Sequence, residues 1–241
     1  MTSVFITGAS SGLGRGLALH YAAQGMRVVA AARRKDELLK MAGEQPGIVP
    51  LQLDVQDTKK LADAVQSEDF DLVIANAGMG WPTSARKIDW SKVHDILDVN
   101  TTACCVTIAA ALPKMVARDA GHVVAVSSLA AFRGMPGNAA YCASKAAVHT
   151  FMESIRVDLR STKVRATTIY PGFVKTEMTA KNKFPMPFLM ELDEAVKVMA
   201  RGIARGAKTI AYPLPMVAGT RLLGALPRGV YEPLAGRVRM F

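Results

Sequence analysis

Tyr141 and Lys145 stand four residues apart in the run Tyr141-Cys142-Ala143-Ser144-Lys145, so that on a helix a phenol and an ammonium share one face. A free phenol titrates near 10, too high to exchange protons readily at neutral pH, and nearby positive charge favours the phenolate. The pair therefore reads as a proton-exchanging group tuned by its neighbour. Spacing alone decides little, since a chain of this composition shows one Tyr-x-x-x-Lys by chance with probability of roughly 0.3. Corroboration comes upstream, where Ser127-Ser128 closes the β-branched run His122–Ser127. A hydroxyl at the carboxyl edge of a parallel sheet can meet a substrate oxygen, although either serine alone would be an ordinary turn residue.

A second group of residues suits phosphate. The turn Thr7-Gly8-Ala9-Ser10-Ser11-Gly12-Leu13-Gly14 sets three glycines between a strand and the start of a helix, with spacing G-x-x-x-G-x-G. Glycine there lets the backbone approach a pyrophosphate, which free N–H groups and the helix dipole stabilise. About twenty residues on, where a dinucleotide-binding fold holds an acid against the ribose 2′-hydroxyl, stands Ala32-Arg33-Arg34. A carboxylate would repel a 2′-phosphate and an arginine can pair with it bidentately, so NADP(H) is expected over NAD(H). The alternative is that Arg33 and Arg34 are merely solvated. His20, His94, His122 and His149 are scattered without ligand spacing, and Cys104, Cys105 and Cys142 form neither a disulfide framework nor a metal motif, so no metal is expected.

Together with Asn76-Ala77-Gly78, Asn100 and Pro171-Gly172, these residues follow the order and approximate spacing of the short-chain dehydrogenase/reductase family. Over residues 1 to about 180 the chain resembles its compact single-domain branch. The resemblance implies that Tyr141 exchanges the substrate proton and that Ser128 hydrogen-bonds the substrate carbonyl. Lys145 would hold the ribose hydroxyls and, with an oxidised nicotinamide, lower the tyrosine pKa; Asn100 would support a water leading protons from Lys145 to solvent. Gly8, Ser10, Ser11, Gly12, Leu13 and Gly14 would line the cofactor phosphates. Asp54 would meet the adenine amino group with Val55 beside it, Asn76, Ala77 and Gly78 would wall the crevice, and Pro171, Gly172, Val174 and Thr176 would surround the nicotinamide and its carboxamide. Asp54 as a strand-end turn former and Pro171-Gly172 as a plain turn stay open. Ser11 stands where some NADP-dependent relatives carry a basic residue, which leaves Arg33 and Arg34 as the phosphate partners.

The implied activity is hydride transfer between NADP(H) and a carbonyl or secondary alcohol. A non-catalytic NADP(H)-binding regulator is the first rival, but such proteins usually lose Tyr or Lys. The second, a nucleotide-sugar epimerase or dehydratase, tends to need a larger C-terminal region than the chain has after Thr176.

The elements that must position these residues follow from hydropathy. Short apolar runs at Val4–Thr7, Arg27–Ala32, Val49–Asp54, Leu72–Ala75, His122–Ser127, Arg165–Tyr170 and Thr209–Tyr212 alternate with amphipathic stretches. This is the pattern of an α/β doubly wound parallel sheet of about seven strands with helices on both faces. Helices are expected at Leu13–Ala23, Asp36–Met41, Thr58–Ser67, Trp90–Leu97, Thr101–Arg118, Ala139–Leu159 and Asp193–Arg205, with Pro113 able to kink one of them. The ligand crevice should open at the carboxyl ends of the strands where strand order reverses.

With 241 residues, 50% hydrophobic and 21% charged, the chain suits a single Rossmann domain over 1–241, its C-terminal substrate and lid region beginning near 175. Net charge is +10, yet no Lys/Arg block interleaves with aromatics, which argues against nucleic acid. Strand-like sequence from Val4 leaves no room for a signal peptide, and the tract Ile210–Pro227 is broken by Arg221 and three prolines, so no membrane span and a reducing cytoplasm are expected. From Lys175 to Phe241 there are 11 Lys/Arg against 5 Asp/Glu, beside the apolar run Phe184–Met190. Either this run closes over a lipophilic carbonyl compound and the remainder packs at a subunit interface or touches an anionic membrane, or these residues only complete the core. Ala-rich faces on Thr101–Arg118 and Ala139–Leu159 suggest a homodimer or homotetramer.

Overall fold

A continuous apolar strand alternates its side chains between two sides, and each side needs its own cover. In the computed structural model, which describes residues 2–182 and 184–237, β1 (Ser3–Thr7) sends Val4 and Ile6 into one core and Phe5 into another. β2 (Arg27–Ala32) divides likewise, Val28 and Ala30 against Val29 and Ala31. With β3 (Ile48–Gln52), β4 (Leu72–Ala75), β5 (His122–Val126), β6 (Arg165–Pro171) and β7 (Thr209–Tyr212) they form one parallel sheet of order β3-β2-β1-β4-β5-β6-β7. One face is covered by α1 (Gly12–Ala23), α2 (Lys35–Glu44) and α7 (Leu192–Ala204), through Leu17, Leu38 and Met199. The other is covered by α3 (Thr58–Gln66), α5 (Ala103–Ala117) and α6 (Ala139–Asp158), through Leu61, Ile108 and Met152. The expected fold class is the observed one. Strand order reverses between β1 and β4, which opens the crevice beyond Thr7 and Ala75.

Several boundaries differ from the sequence expectation for local reasons. β3 stops at Gln52, so Asp54 lies in the following turn, where its Oδ1 accepts from Gln56 N at 3.1 Å. β5 stops at Val126, which leaves Ser127 and Ser128 beyond the strand. α4 (Trp90–Leu97) does not end before a separate helix at Thr101; it runs through a π-turn at Asp98–Thr102 into α5. α5 continues through Pro113. This run, Trp90–Ala117, is the one helix among the described residues long and apolar enough to cross a membrane, and its α5 part packs on β4, β5 and α3. Two helices lay hidden in the tract beyond β7, α8 (Leu214–Ala225) and α9 (Arg228–Gly236). The prolines that broke its hydropathy pattern mark helix starts instead, Pro215 in the first turn of α8 and Pro227 as N-cap of α9. The end of the basic tail, 238–241, lies outside the described residues.

Candidate active site

The crevice is built by drawing two strand ends together. Thr7 Oγ1 accepts from Asn76 N and from Ala77 N, both at 3.0 Å, and Asn76 Nδ2 donates back to Thr7 O at 2.9 Å and Gly8 O at 3.3 Å. That closeness leaves no space for side chains. A Cβ on Gly8, whose φ is +67°, would lie 2.7 Å from Ala77 Cα, and one on Gly14 would lie 2.4 Å from Gly8 O and Asn76 Nδ2. α1 starts at Gly12 after Ser11, whose side chain makes no capping bond, and its first turn holds no acid. Its leading amides are therefore left for an anion, and the loop fits a pyrophosphate. Gly14→Ala is expected to cost roughly 1–3 kcal/mol by overpacking against backbone. Urea unfolding and NADPH titration should show a lower midpoint and weaker binding together; no change in either would mean that the glycine is not needed for this approach.

At the end of β2, Arg34 Nε donates to Ser10 Oγ at 3.2 Å, which brings its guanidinium to the glycine loop. Its Nη1 pairs with Glu177 Oε2 at 3.0 Å, both side chains being largely exposed. Arg33 is also exposed, and its carbonyl accepts from Gln52 Nε2 at 3.4 Å. Of the two arginines, Arg34 is the one tied to the loop. Val55 is buried and Asp54 exposed at the neighbouring strand end.

Across the crevice, α6 presents Tyr141 and Lys145 one turn apart. Lys145 is only 4% exposed; its Nζ donates to Val126 O at 2.9 Å and lies 5.8 Å from the Tyr141 ring centroid. Burial pulls the ammonium down to about 8. Ser127 Oγ donates to Lys145 O at 2.9 Å, which makes it a strut. Ser128 Oγ accepts from Ala130 N at 3.1 Å and donates to Pro171 O at 3.4 Å, and the same hydroxyl is a hydrogen-bond neighbour of the Tyr141 phenol. On the phenol, burial raises the pKa and outweighs the lowering by Ser128, so the net direction is up. The lowering expected from Lys145 is thus not produced by this chain's residues alone, because phenol and ammonium share a dry site in which each charged form is disfavoured.

Asn100 sits on the π-turn. Its Oδ1 accepts from Met79 N at 2.7 Å, and its Nδ2 donates to Met79 O at 2.9 Å and Ser144 Oγ at 3.0 Å. The side chain ties the loop after β4 to α6. A Cβ on Gly78 would stand 3.4 Å from both Asn100 Oδ1 and Lys145 Nζ, and one on Gly80 would stand 3.8 Å from the Tyr141 ring and 3.9 Å from Met178 Sδ. Pro171 ends β6, Gly172 N donates to Tyr212 O at 2.7 Å, and buried Val174 pairs with Met190. Thr176 reaches the phosphate loop, its Cγ2 3.3 Å from where a Gly12 Cβ would be. The structure thus brings Gly8, Gly14, Asn76 and Ala77 together, with Arg34 tied to Ser10 and Thr176 beside Gly12, and brings Gly78, Asn100, Tyr141 and Lys145 together, while Arg33 and Asp54 are exposed. Sequence reasoning missed Met79, which acts through its backbone, and Glu177, whose partner is 143 positions away. Neither carries a local signal.

Known proteins share this site's framework. The family model for short chain dehydrogenase matches residues 2–185. An uncharacterized oxidoreductase of Myxococcus xanthus is 48% identical over 98% of this chain and 97% of its own. A short-chain dehydrogenase from Sphingobium yanoikuyae, solved in complex with NADPH, superposes with a TM-score of 0.84 at 26% identity, over 99% of this chain and 97% of that one. A Burkholderia phymatum short chain dehydrogenase/reductase in complex with NAD shares the fold at a TM-score of 0.84 and 20% identity, over 100% of this chain and 96% of that one. The chain is an oxidoreductase that belongs to the short-chain dehydrogenase family.

Proposed function

We propose that this protein transfers a hydride reversibly between NADP(H) and a carbonyl or secondary alcohol, with carbonyl reduction the direction favoured in a cell. The observation that carries the reading is that Tyr141 has both Ser128 and Lys145 as neighbours, with Gly80 beside the phenol ring and Gly78 beside the ammonium, while Gly8 and Gly14 of the neighbouring loop have no room for a side chain. Nicotinamide, when bound, supplies or accepts the hydride. Ser128 orients the carbonyl oxygen and Tyr141 gives it a proton. The raised pKa of the phenol keeps it protonated and suits the reductive direction. Lys145 holds the ribose hydroxyls and replenishes the proton, helped by an ammonium whose own pKa lies near the working range. Asn100 positions both by bracing the Met79 loop against α6. Arg34 and Arg33 favour the 2′-phosphate, in keeping with the NADPH-bound relative, and Asp54 with Val55 closes the adenine end.

Access to the site points to an apolar substrate. Met178 lies beside Tyr141 across Gly80, Phe173 and Phe184 pack ring to ring at 5.9 Å, and Phe188 and Leu189 remain exposed on the segment that pairs with Val174. Across a series of straight-chain aldehydes or ketones, each buried methylene should raise kcat/KM by up to about 0.8 kcal/mol, roughly fourfold, until the pocket fills. A flat series, or a preference for charged polyhydroxylated substrates, would overturn the lipophilic reading while leaving hydride transfer intact.

A second reading concerns α8 and α9. Core completion accounts for Val217, buried with Leu129 and Tyr170, but not for Leu214 at 78% and Leu222 at 68% exposure. Those leucines, with Arg221 and Arg228, suit a subunit interface in a homodimer or homotetramer, alongside pairing through α5 and α6. A concentration-independent monomer by sedimentation would contradict it, and pelleting with anionic vesicles at low salt would show peripheral membrane contact instead. The reading places its work in the reducing cytoplasm, where thiols such as those of Cys104, Cys105 and Cys142 stay free.

A further inference from the structure

Ser128 and Tyr141, the two hydroxyls that the proposed reaction brings to one carbonyl oxygen, stand thirteen positions apart. Leu129–Ala131 make a short 3₁₀ turn and α6 begins at Ala139, so 132–138 is a loop joining them. A loop takes its shape from what holds it. At its far end Thr83 N donates to Gly137 O at 2.7 Å, and Thr83 Oγ1 accepts from Ala140 N at 3.0 Å. At its start the Phe132 ring lies 5.0 Å from that of Tyr170 and 5.8 Å from that of His149. Between them Met135 N donates at 3.4 Å to Sγ of Cys142, the residue after Tyr141.

The other ties come from the C-terminal helices. Arg133 Nη1 donates to Gly224 O of α8 at 3.3 Å, and a Cβ on Gly224 would stand 3.2 Å from Phe132 O. The Arg133 guanidinium lies 4.2 Å from the centroid of the Tyr231 ring of α9, and the Tyr231 hydroxyl donates to Gly134 O. Burial raises the Tyr231 pKa more than the Arg133 cation lowers it, so the phenol keeps the proton it donates. α9 adds little to the core, since Tyr231 and Ala235 are half-buried and its other seven residues are exposed. Its closest engagement with the domain is therefore with the loop between the two reacting hydroxyls.

We propose that Tyr231 is a positioning residue for the carbonyl substrate: by tying α9 to Arg133 and Gly134 it fixes the loop that borders the substituents of a carbonyl held between Ser128 and Tyr141. The inference rests on the hydride-transfer reading and concerns the substrate side alone, because the nucleotide is assigned to the glycine loop, Arg34 and Lys145. A ketone with small substituents needs little of that wall, whereas a long or aromatic one must lie along it.

Tyr231→Phe keeps the ring over Arg133 and removes the hydrogen bond; Tyr231→Leu removes both. Steady-state kinetics at saturating NADPH compare the smallest and the largest ketone that the wild type reduces. For the large ketone KM should rise roughly three- to tenfold in Tyr231→Phe and further in Tyr231→Leu, with kcat nearly unchanged. For the small ketone both constants should hold, as should NADPH affinity. Iodoacetamide reads the loop independently: Cys142, 4% exposed beneath the Met135 amide, should be alkylated several-fold faster in Tyr231→Leu, while buried Cys104 should not. A merely structural role would instead lower the thermal midpoint and reduce kcat/KM equally for both ketones. Equal losses, an unchanged KM for the large ketone, or wild-type alkylation of Cys142 would each overturn the proposal. If the wild type reduces no ketone, hydride transfer itself fails and the substrate role falls with it, while the Cys142 rates still tell whether Tyr231 holds the loop.

Discussion

Tyr141→Phe is expected to lower kcat by at least about a hundredfold on a good carbonyl substrate while leaving NADPH affinity nearly unchanged. The substitution removes one hydroxyl from a ring whose packing beside Gly80 and Met178 is apolar, so nothing that shapes the nucleotide crevice moves. Retention of more than about a tenth of the wild-type rate would show that another group exchanges the proton. Lys145→Ala should differ in kind, damaging both turnover and cofactor binding, because the ammonium is meant to touch the ribose. It also carries a stability signature. With its pKa down at about 8 in the folded chain and near 10.4 unfolded, the unfolded chain binds the additional proton between those values. Wild-type stability should therefore rise as pH goes from about 8 to 10, and that rise should be smaller in Lys145→Ala.

NADPH should bind roughly five- to hundredfold more tightly than NADH, as one charge-assisted contact of about 1–3 kcal/mol implies. The structure divides this preference unequally. Arg34 is held to Ser10 at the phosphate loop and Arg33 is not, so Arg34→Ala should lose more of it than Arg33→Ala. Glu177 already engages Nη1 of the Arg34 guanidinium, and Glu177→Gln should tighten NADPH by freeing it, with little effect on NADH. Ala32→Asp with Arg33→Ala should shift the preference toward NADH by setting a carboxylate against the 2′-phosphate. Equal affinities of the wild type for the two cofactors in fluorescence titrations would refute the assignment.

How far the sequence revealed this site depended on whether a residue acts through its own side chain at a fixed local spacing. The glycines of Gly8–Gly14, the Tyr141/Lys145 turn and the strand-end serines each carry a local physical signature, and the structure brings Ser128 to the Tyr141/Lys145 pair while Ser127 braces it from behind. The seven strands were legible because nearly all are buried apolar runs. What the sequence hid is of two kinds. Met79 and Glu177 matter through partners brought close only by the fold, Asn100 and Arg34 respectively. The π-turn at Asp98–Thr102 adds a residue to a turn, which periodicity cannot locate, and α8 and α9 were masked by prolines that looked like breaks. Tyr141 shows a different limit. Spacing placed the ammonium near the phenol, but burial, which spacing does not encode, turned the pKa in the other direction.

The most direct test of hydride transfer follows the hydrogen itself. NADPH carrying deuterium at the nicotinamide C4, on each face in turn, is incubated with the protein and a panel of medium-chain ketones and aldehydes, and the alcohols are read by mass spectrometry. One face should deliver a single deuterium to the carbinol carbon of at least one product, and Tyr141→Phe should abolish that product. NADPH that binds tightly yet passes no label to any carbonyl would contradict hydride transfer and leave a cofactor-binding protein without turnover.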